Sequence, residues 1–262
     1  MFILAPDTGL IVMVIQIHPI TKLPMIKPGD DLAQLIYDAT IGTDTLRDGD
    51  ILVITHKVVS KAEGRLVDLS SVEPSQAALN YSAQTGKDPN VVEIVLRESR
   101  AVRRMAPGVL ITETRQGFVC ANSGIDKSNV AGTETYALLP VDPDQSAKRI
   151  RDRLKELGGI DVAVIISDTH GRAHRSGEIN VAIGTSGLNV LRDRRGERDL
   201  FGYELRVKNI AVADELAGAA ELVIGQADEG VPAAVIRGYT YRRDESSKAV
   251  DLVWPRDKDL FP

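Results

Sequence analysis

Apolar residues fall along this chain in two arrangements: short unbroken runs, and stretches where they recur every three or four positions. The runs predict buried strands and the recurring spacing predicts amphipathic helices. Residues 10–17 read as a first strand, followed at 19–29 by a loop punctuated by three prolines and one glycine. Asp30 or Asp31 can cap a helix running to about Ile41, with Leu32, Leu35 and Ile36 on one face. Gly49-Asp50 then turns into a buried strand at 51–59 that ends in the polar pair His56-Lys57.

The middle reads as helical. A helix at 75–85 stops at Gly86, and Asp88-Pro89 opens the next as N-cap and first residue. Runs at 109–114 and 118–121, joined by Arg115-Gln116-Gly117, predict a hairpin, and a polar loop follows at 122–129. Asp142-Pro143 opens a helix whose stripe is Ile150, Leu154 and Leu157, stopped by Gly158-Gly159. A strand at 161–167 runs up to Asp168, and a second apolar run closes on a small-residue loop, Gly184-Thr185-Ser186-Gly187. An alanine-rich helix is expected at 212–224, closed by Gly225, then a last core strand at 233–237 and a loose charged tail from Arg242. Without regular βαβ alternation, this order predicts α+β with mixed sheets and hairpins. The expected division is a loose leader at 1–11, one main domain at 12–241 and a tail at 242–262.

Composition narrows the function more than the fold. The 262 residues are 43% hydrophobic and 26% charged, with a formal net charge of -5. That balance argues against a general nucleic-acid binder, which needs a basic face. No run reaches the roughly 18 apolar residues of a spanning helix, and the apolar stretch 1–20, interrupted by Pro6, Asp7 and Gln16, lacks the basic start and cleavage site of a signal peptide. The single cysteine, Cys120, allows no internal disulfide and fits a reducing cytoplasm. Within an apolar run it reads as a small buried hydrophobe.

The stretch from the strand at 161–167 to Gly187 carries the densest chemistry. A carboxylate at a strand end suits a hard cation, and the Thr169 hydroxyl can add an oxygen; the alternative is that Asp168 caps the turn. Asp126, in the polar loop beside Asn129, reads as a second carboxylate for the same site or as an Asx-turn. His170 and His174 have the spacing of a zinc pair, but with Arg172 and Arg175 the tract reads better as an anion clamp or a solvated loop. Lys57, Lys61 and Arg65 can meet phosphates or lie on the surface. Arg192, Arg194 and Arg195 read as surface, and Asp214-Glu215 as complements to a helix dipole. No Walker loop, Gly-rich dinucleotide turn or serine elbow occurs. The residues alone give a metal-phosphate site without a reaction.

Eight strings occur together, in one order: LPMIKPGDDL, VVSKAEGR, CANSGIDKSN, ISDTHGRAHRSG, VAIGTSG, DLFGYEL, AVADELAGAAELVIG and PAAVIRG. In this the chain resembles the coenzyme F420-0:L-glutamate ligase family, in its stand-alone form without a fused reductase-like domain. The resemblance implies an intertwined α+β homodimer and GTP-dependent addition of L-glutamate to coenzyme F420-0. It also implies two divalent cations, Mg²⁺ or Mn²⁺, and a monovalent cation, K⁺. Metal contacts then carry over to Asp126, Asp168, Thr169 and Gln226. GTP contacts carry over to Leu23, Pro24, Met25, Ile26, His56, Lys57, Lys61 and Asn129, and to Gly225, Gln226, Ala227, Asp228 and Glu229. Lys61 and Arg172 are the basic groups expected to hold phosphate or substrate carboxylates. His56-Lys57 stands where small hydroxyl residues are common in that family, and His170 where a larger apolar or amide residue is common. Two other readings use the same aspartates: a metal-dependent phosphohydrolase, and a nucleotide-binding protein that turns nothing over.

Overall fold

Ile51, Leu52, Val53 and Ile54 are all completely buried, because the strand they form has helices on both faces. The computed structural model describes residues 14–42, 45–127, 129–130, 132 and 134–260. The leader expected at 1–11, and the first residues of the strand expected at 10–17, lie outside the described residues. The first half of the chain comprises β1 (Gln16–Pro19), α1 (Leu32–Thr40), β2 (Ile51–Thr55), α2 (His56–Ala62) and β3 (Leu66–Asp68), then α3 (Gln76–Thr85), α4 (Pro89–Arg97), β4 (Ser99–Ala106), β5 (Val109–Thr114) and β6 (Val119–Ala121). It continues with β7 (Thr135–Ala137), α5 (Pro143–Gly158), β8 (Ala163–Arg172), β9 (Arg175–Ser186), β10 (Arg192–Asp193), β11 (Asn209–Ile210), α6 (Val212–Ile224) and β12 (Ala233–Arg237).

The central sheet has the order β1-β12-β2-β8-β9. Only β2 and β8 run parallel; the other neighbours are antiparallel, so the α+β mixed-sheet expectation holds. Side-chain alternation sorts the apolar residues to two faces. Leu52, Ile54, Val164, Ile166 and Val235 pack under α1, α2 and α5, while Ile51, Val53, Ile165 and Ile236 pack under α6. A third cluster, built on α3, α4 and the β4-β5-β6 sheet, forms beside this core.

Helix starts follow their caps. Asp31, Ser75 and Asp142 each accept a backbone N–H three residues on, and Asp88 does the same ahead of Pro89. Gly86 and Gly159 close helices in the left-handed conformation.

Five expectations are corrected. Described strand β1 begins at Gln16 and runs on to Pro19, because its ladder is set by pairing with β12. The run at 51–59 leaves the sheet at Thr55, where His56 starts α2 and sends Val58 and Val59 into the core beneath α1. The tract after Asp168 is not a loop but a continuation of β8, which pairs with β9 as far as Arg172 opposite Arg175. Gly184, Thr185 and Ser186 belong to β9; a Cβ on Gly184 would lie 2.5 Å from the Pro143 carbonyl carbon, so glycine there admits the start of α5. The first part of the tail is packed down, with Ala249 fully buried and Glu245 paired to Arg151 at 2.6 Å, while Trp254 and Leu260 beyond it are exposed. Strand β4, rich in arginine and without alternation, is made by its pairing with β5 rather than by its own pattern.

Candidate functional site

Thr55 lies opposite Ser167 in the parallel β2-β8 ladder. The next residues along, His56 and Asp168, therefore emerge side by side where β2 leaves the sheet. An open cavity of about 200 Å³ lies there, outside the carboxyl end of β2, as is usual for ligand sites in sheets with parallel neighbours.

Asp168 is 8% exposed and gripped on both oxygens. His170 Nε2 lies 3.0 Å from Oδ2, and Oδ1 accepts the Thr169 N–H at 2.8 Å. His56 Nε2 lies 3.2 Å from Oδ1, a close electrostatic contact that is not directed as a hydrogen bond. Burial alone would raise the Asp168 pKa, but His56 and His170 outweigh it and hold the carboxyl well below its ordinary range. Burial would lower His170; the Asp168 and Cys120 contacts reverse this and push it up to about 10. Cys120 is buried, as expected.

The other walls come from distant parts of the chain. Leu23, Pro24, Met25 and Ile26 line one side, and Gly225, Gln226, Ala227 and Glu229 another. Lys61 Nζ donates to the Asn129 carbonyl at 2.6 Å, and Asn129 Nδ2 donates to the Ala227 carbonyl at 3.0 Å, so helix α2 and two loops are tied across the opening. Burial, and then the neighbouring Lys57, lowers the Lys61 pKa. Lys57 lines the cavity and pairs with Asp126 Oδ2 at 2.8 Å. Asp126 itself is set back from the lining, bridged to Ala137. Asp228 is also outside the lining.

Arg172 is not brought to this cavity. It stands at the turn between β8 and β9, where Nη2 points to the Ser176 carbonyl at 3.4 Å. The expected Arg172–Arg175 clamp is thus the closing pair of a hairpin, with Ala173 and His174 at its tip and His174 at φ 61°. The zinc spacing of His170 and His174 is separated by the same turn.

Two residues were not legible in advance. Asn180 is 2% exposed and sits opposite Thr169 in the β8-β9 ladder. Its one signal is a polar residue inside the apolar stretch of β9. Glu221 of α6 accepts the Asn180 N–H at 3.1 Å, and Asp214 of the same helix accepts the Ala182 N–H at 2.9 Å. Strand β9 is the edge of the sheet, and these carboxylates satisfy outward-facing donors there. Asp214 is therefore more than a dipole complement, and burial raises its pKa.

Thr169 Oγ1 lies 2.8 Å from Asn180 Oδ1 and 3.1 Å from Gln226 Oε1. This hydroxyl-and-amide oxygen set, next to Asp168, has the chemistry of a hard-cation site. Among the described residues, no three His, Cys, Asp or Glu side chains form a metal cage. No described helix is long and apolar enough to cross a membrane.

A family model described as F420-0:Gamma-glutamyl ligase matches residues 20–238. The coenzyme F420:L-glutamate ligase of Methanopyrus kandleri is 49% identical over 250 residues, covering 94% of this chain and 97% of the relative. That of Methanothermobacter thermautotrophicus is 49% identical over 252 residues, covering 95% and 99%. That of Methanocaldococcus jannaschii is 43% identical over 240 residues, covering 92% and 94%. The similarity thus spans both walls of the cavity and the sheet between them.

Proposed function

Because the chain belongs to the F420-0:gamma-glutamyl ligase family, we propose that it joins L-glutamate to coenzyme F420-0 at the expense of GTP. The observation that carries this reading is one cavity uniting the 23–26 loop, Lys61, Asn129, Asp168, Thr169 and the Gln226 loop. A carboxylate is a poor acyl donor, so the reaction is taken to have two steps. An F420-0 carboxylate oxygen attacks the γ-phosphorus of GTP, the bond to the GDP oxygen breaks, and an acyl phosphate forms. The glutamate amine then attacks the acyl carbon, loses a proton to a base or solvent, and expels phosphate.

The chain's own residues supply binding and positioning. Lys61, held by the Asn129 carbonyl, offers a fixed positive charge for phosphate oxygens. The 23–26 loop offers apolar wall, including the exposed Met25, for a base or ring. Asp168, Thr169 and Gln226 would hold divalent cations, Mg²⁺ or Mn²⁺, with Asp126 reached once Lys57 yields its oxygen. Such cations, when bound, offset the charge that gathers on the phosphates. K⁺ belongs to the same proposal through the family. So do a cytoplasmic setting and a homodimer; Leu200, Phe201 and Val207, at 99%, 96% and 90% exposure between β10 and β11, are apolar surface of the kind a partner subunit covers.

The test is the dependence of GTP turnover on both acceptors. GDP should form over repeated turnovers only when F420-0 and L-glutamate are both present, and F420-0 alone should give no more than one GDP per site. Release indifferent to either would make the protein a phosphohydrolase, and no release with tight GTP binding would make it a binding protein.

A further inference from the structure

Glu221 has no part in the scheme above, yet it is bonded to two of the groups that build the cation site. One oxygen, Oε1, accepts from Gln226 Nε2 at 2.6 Å, and the other, Oε2, accepts the Asn180 backbone N–H at 3.1 Å. The first bond decides which way the Gln226 amide faces. With Nε2 donating to Glu221 and also to Asn180 Oδ1 at 3.1 Å, Gln226 Oε1 is turned toward Thr169 Oγ1 at 3.1 Å. The second bond fixes the strand at Asn180, whose Oδ1 lies 2.8 Å from the same hydroxyl.

A threonine hydroxyl has one proton to give. Once it is donated to Asn180 Oδ1, Gln226 Oε1 and Thr169 Oγ1 face each other as two acceptors. An approach of that kind is repulsive without a positive charge between or beside the oxygens, and a bound cation supplies that charge. The carboxylate that enforces it stands behind the Gln226 amide, where it can orient that group without contacting the ion.

We propose that Glu221 is a positioning residue of the divalent-cation site: it turns the amide oxygen of Gln226 to Thr169 Oγ1 and, through the Asn180 backbone N–H, holds the strand whose Asn180 Oδ1 takes the Thr169 proton. This rests on the reading of Thr169 and Gln226 as cation ligands. Glutamine at 221 keeps the shape but has one carbonyl oxygen for two donors, so the Gln226 amide is released. Outer partners of this kind typically control metal affinity by about 10- to 100-fold.

The experiment is calorimetric titration of the full chain with Mn²⁺ in the presence of GDP, beside thermal melts without metal. Glu221→Gln should weaken Mn²⁺ at least 10-fold with the metal-free melt nearly unchanged. Wild-type affinity in Glu221→Gln overturns the proposal and leaves the reading of Thr169 and Asp168 standing. Absence of Mn²⁺ binding by the wild type overturns that reading, and the proposal with it. If Glu221→Gln fails to fold, Gln226→Leu decides: it removes only the oriented amide, and undiminished Mn²⁺ affinity there also overturns the proposal.

Discussion

His56 Nε2 stands 3.2 Å from Asp168 Oδ1 because Thr55 and Ser167 are level in a parallel ladder. The contact makes Asp168 a buried anion compensated on both sides, by His56 and by His170 at 3.0 Å. Substitution Asp168→Asn keeps the shape and removes the charge, and His170 can then shed its proton rather than remain an unpaired cation. The expected outcome is loss of turnover by about 10²-fold or more, as for removal of a charge-stabilising group, with a circular-dichroism spectrum and cooperative melt like those of the wild type. Retained turnover would remove Asp168 from the chemistry.

Asp161 ties helix α5 to the tail, through Arg151 at 2.7 Å and through Arg243. Burial works to raise its pKa, but Arg151 first, and then Arg243 and Lys155, bring it below the ordinary value. A carboxyl depressed in the folded state adds stability above its unfolded pKa, near about 4, and loses it as pH falls through the folded value. Urea midpoints followed below pH about 5 should therefore fall more steeply for the wild type than for Asp161→Asn. Parallel curves would show that the pair contributes nothing.

Much of this architecture is written locally. Asp31, Ser75, Asp88 and Asp142 announce four helices because a cap is satisfied within three residues. Helix α6 and strand β12 fall on the expected residues because Gly225 and the short apolar run bound them. What could not be read depends on partners far along the chain. Strand β8 continues past Asp168 only because β9 pairs with it, so a strand end was expected where a hairpin exists. Asn180 and Glu221 matter through a register and a helix packing that leave no local mark. Arg172 and Asp168 are close in sequence, yet the extending strand carries the arginine to the turn and away from the cavity.

Gly184 gives the sharpest test of the packing between α5 and β9. Alanine there would set its Cβ 2.5 Å from the Pro143 carbonyl oxygen, and backbone cannot step aside as a side chain can. Gly184→Ala should destabilise the protein by about 2–3 kcal/mol, seen as a lower urea midpoint at unchanged slope. A neutral effect would mean that the start of α5 is free to move.

The central claim is the reaction itself, and a product mass tests it most directly. The protein is incubated with GTP, Mn²⁺, F420-0 and L-glutamate, and the F420-0 is then weighed by mass spectrometry. The account predicts an increase of one glutamyl unit, matched by GDP and phosphate and absent with Asp168→Asn. Well-folded protein that leaves the mass of F420-0 unchanged under these conditions would contradict it.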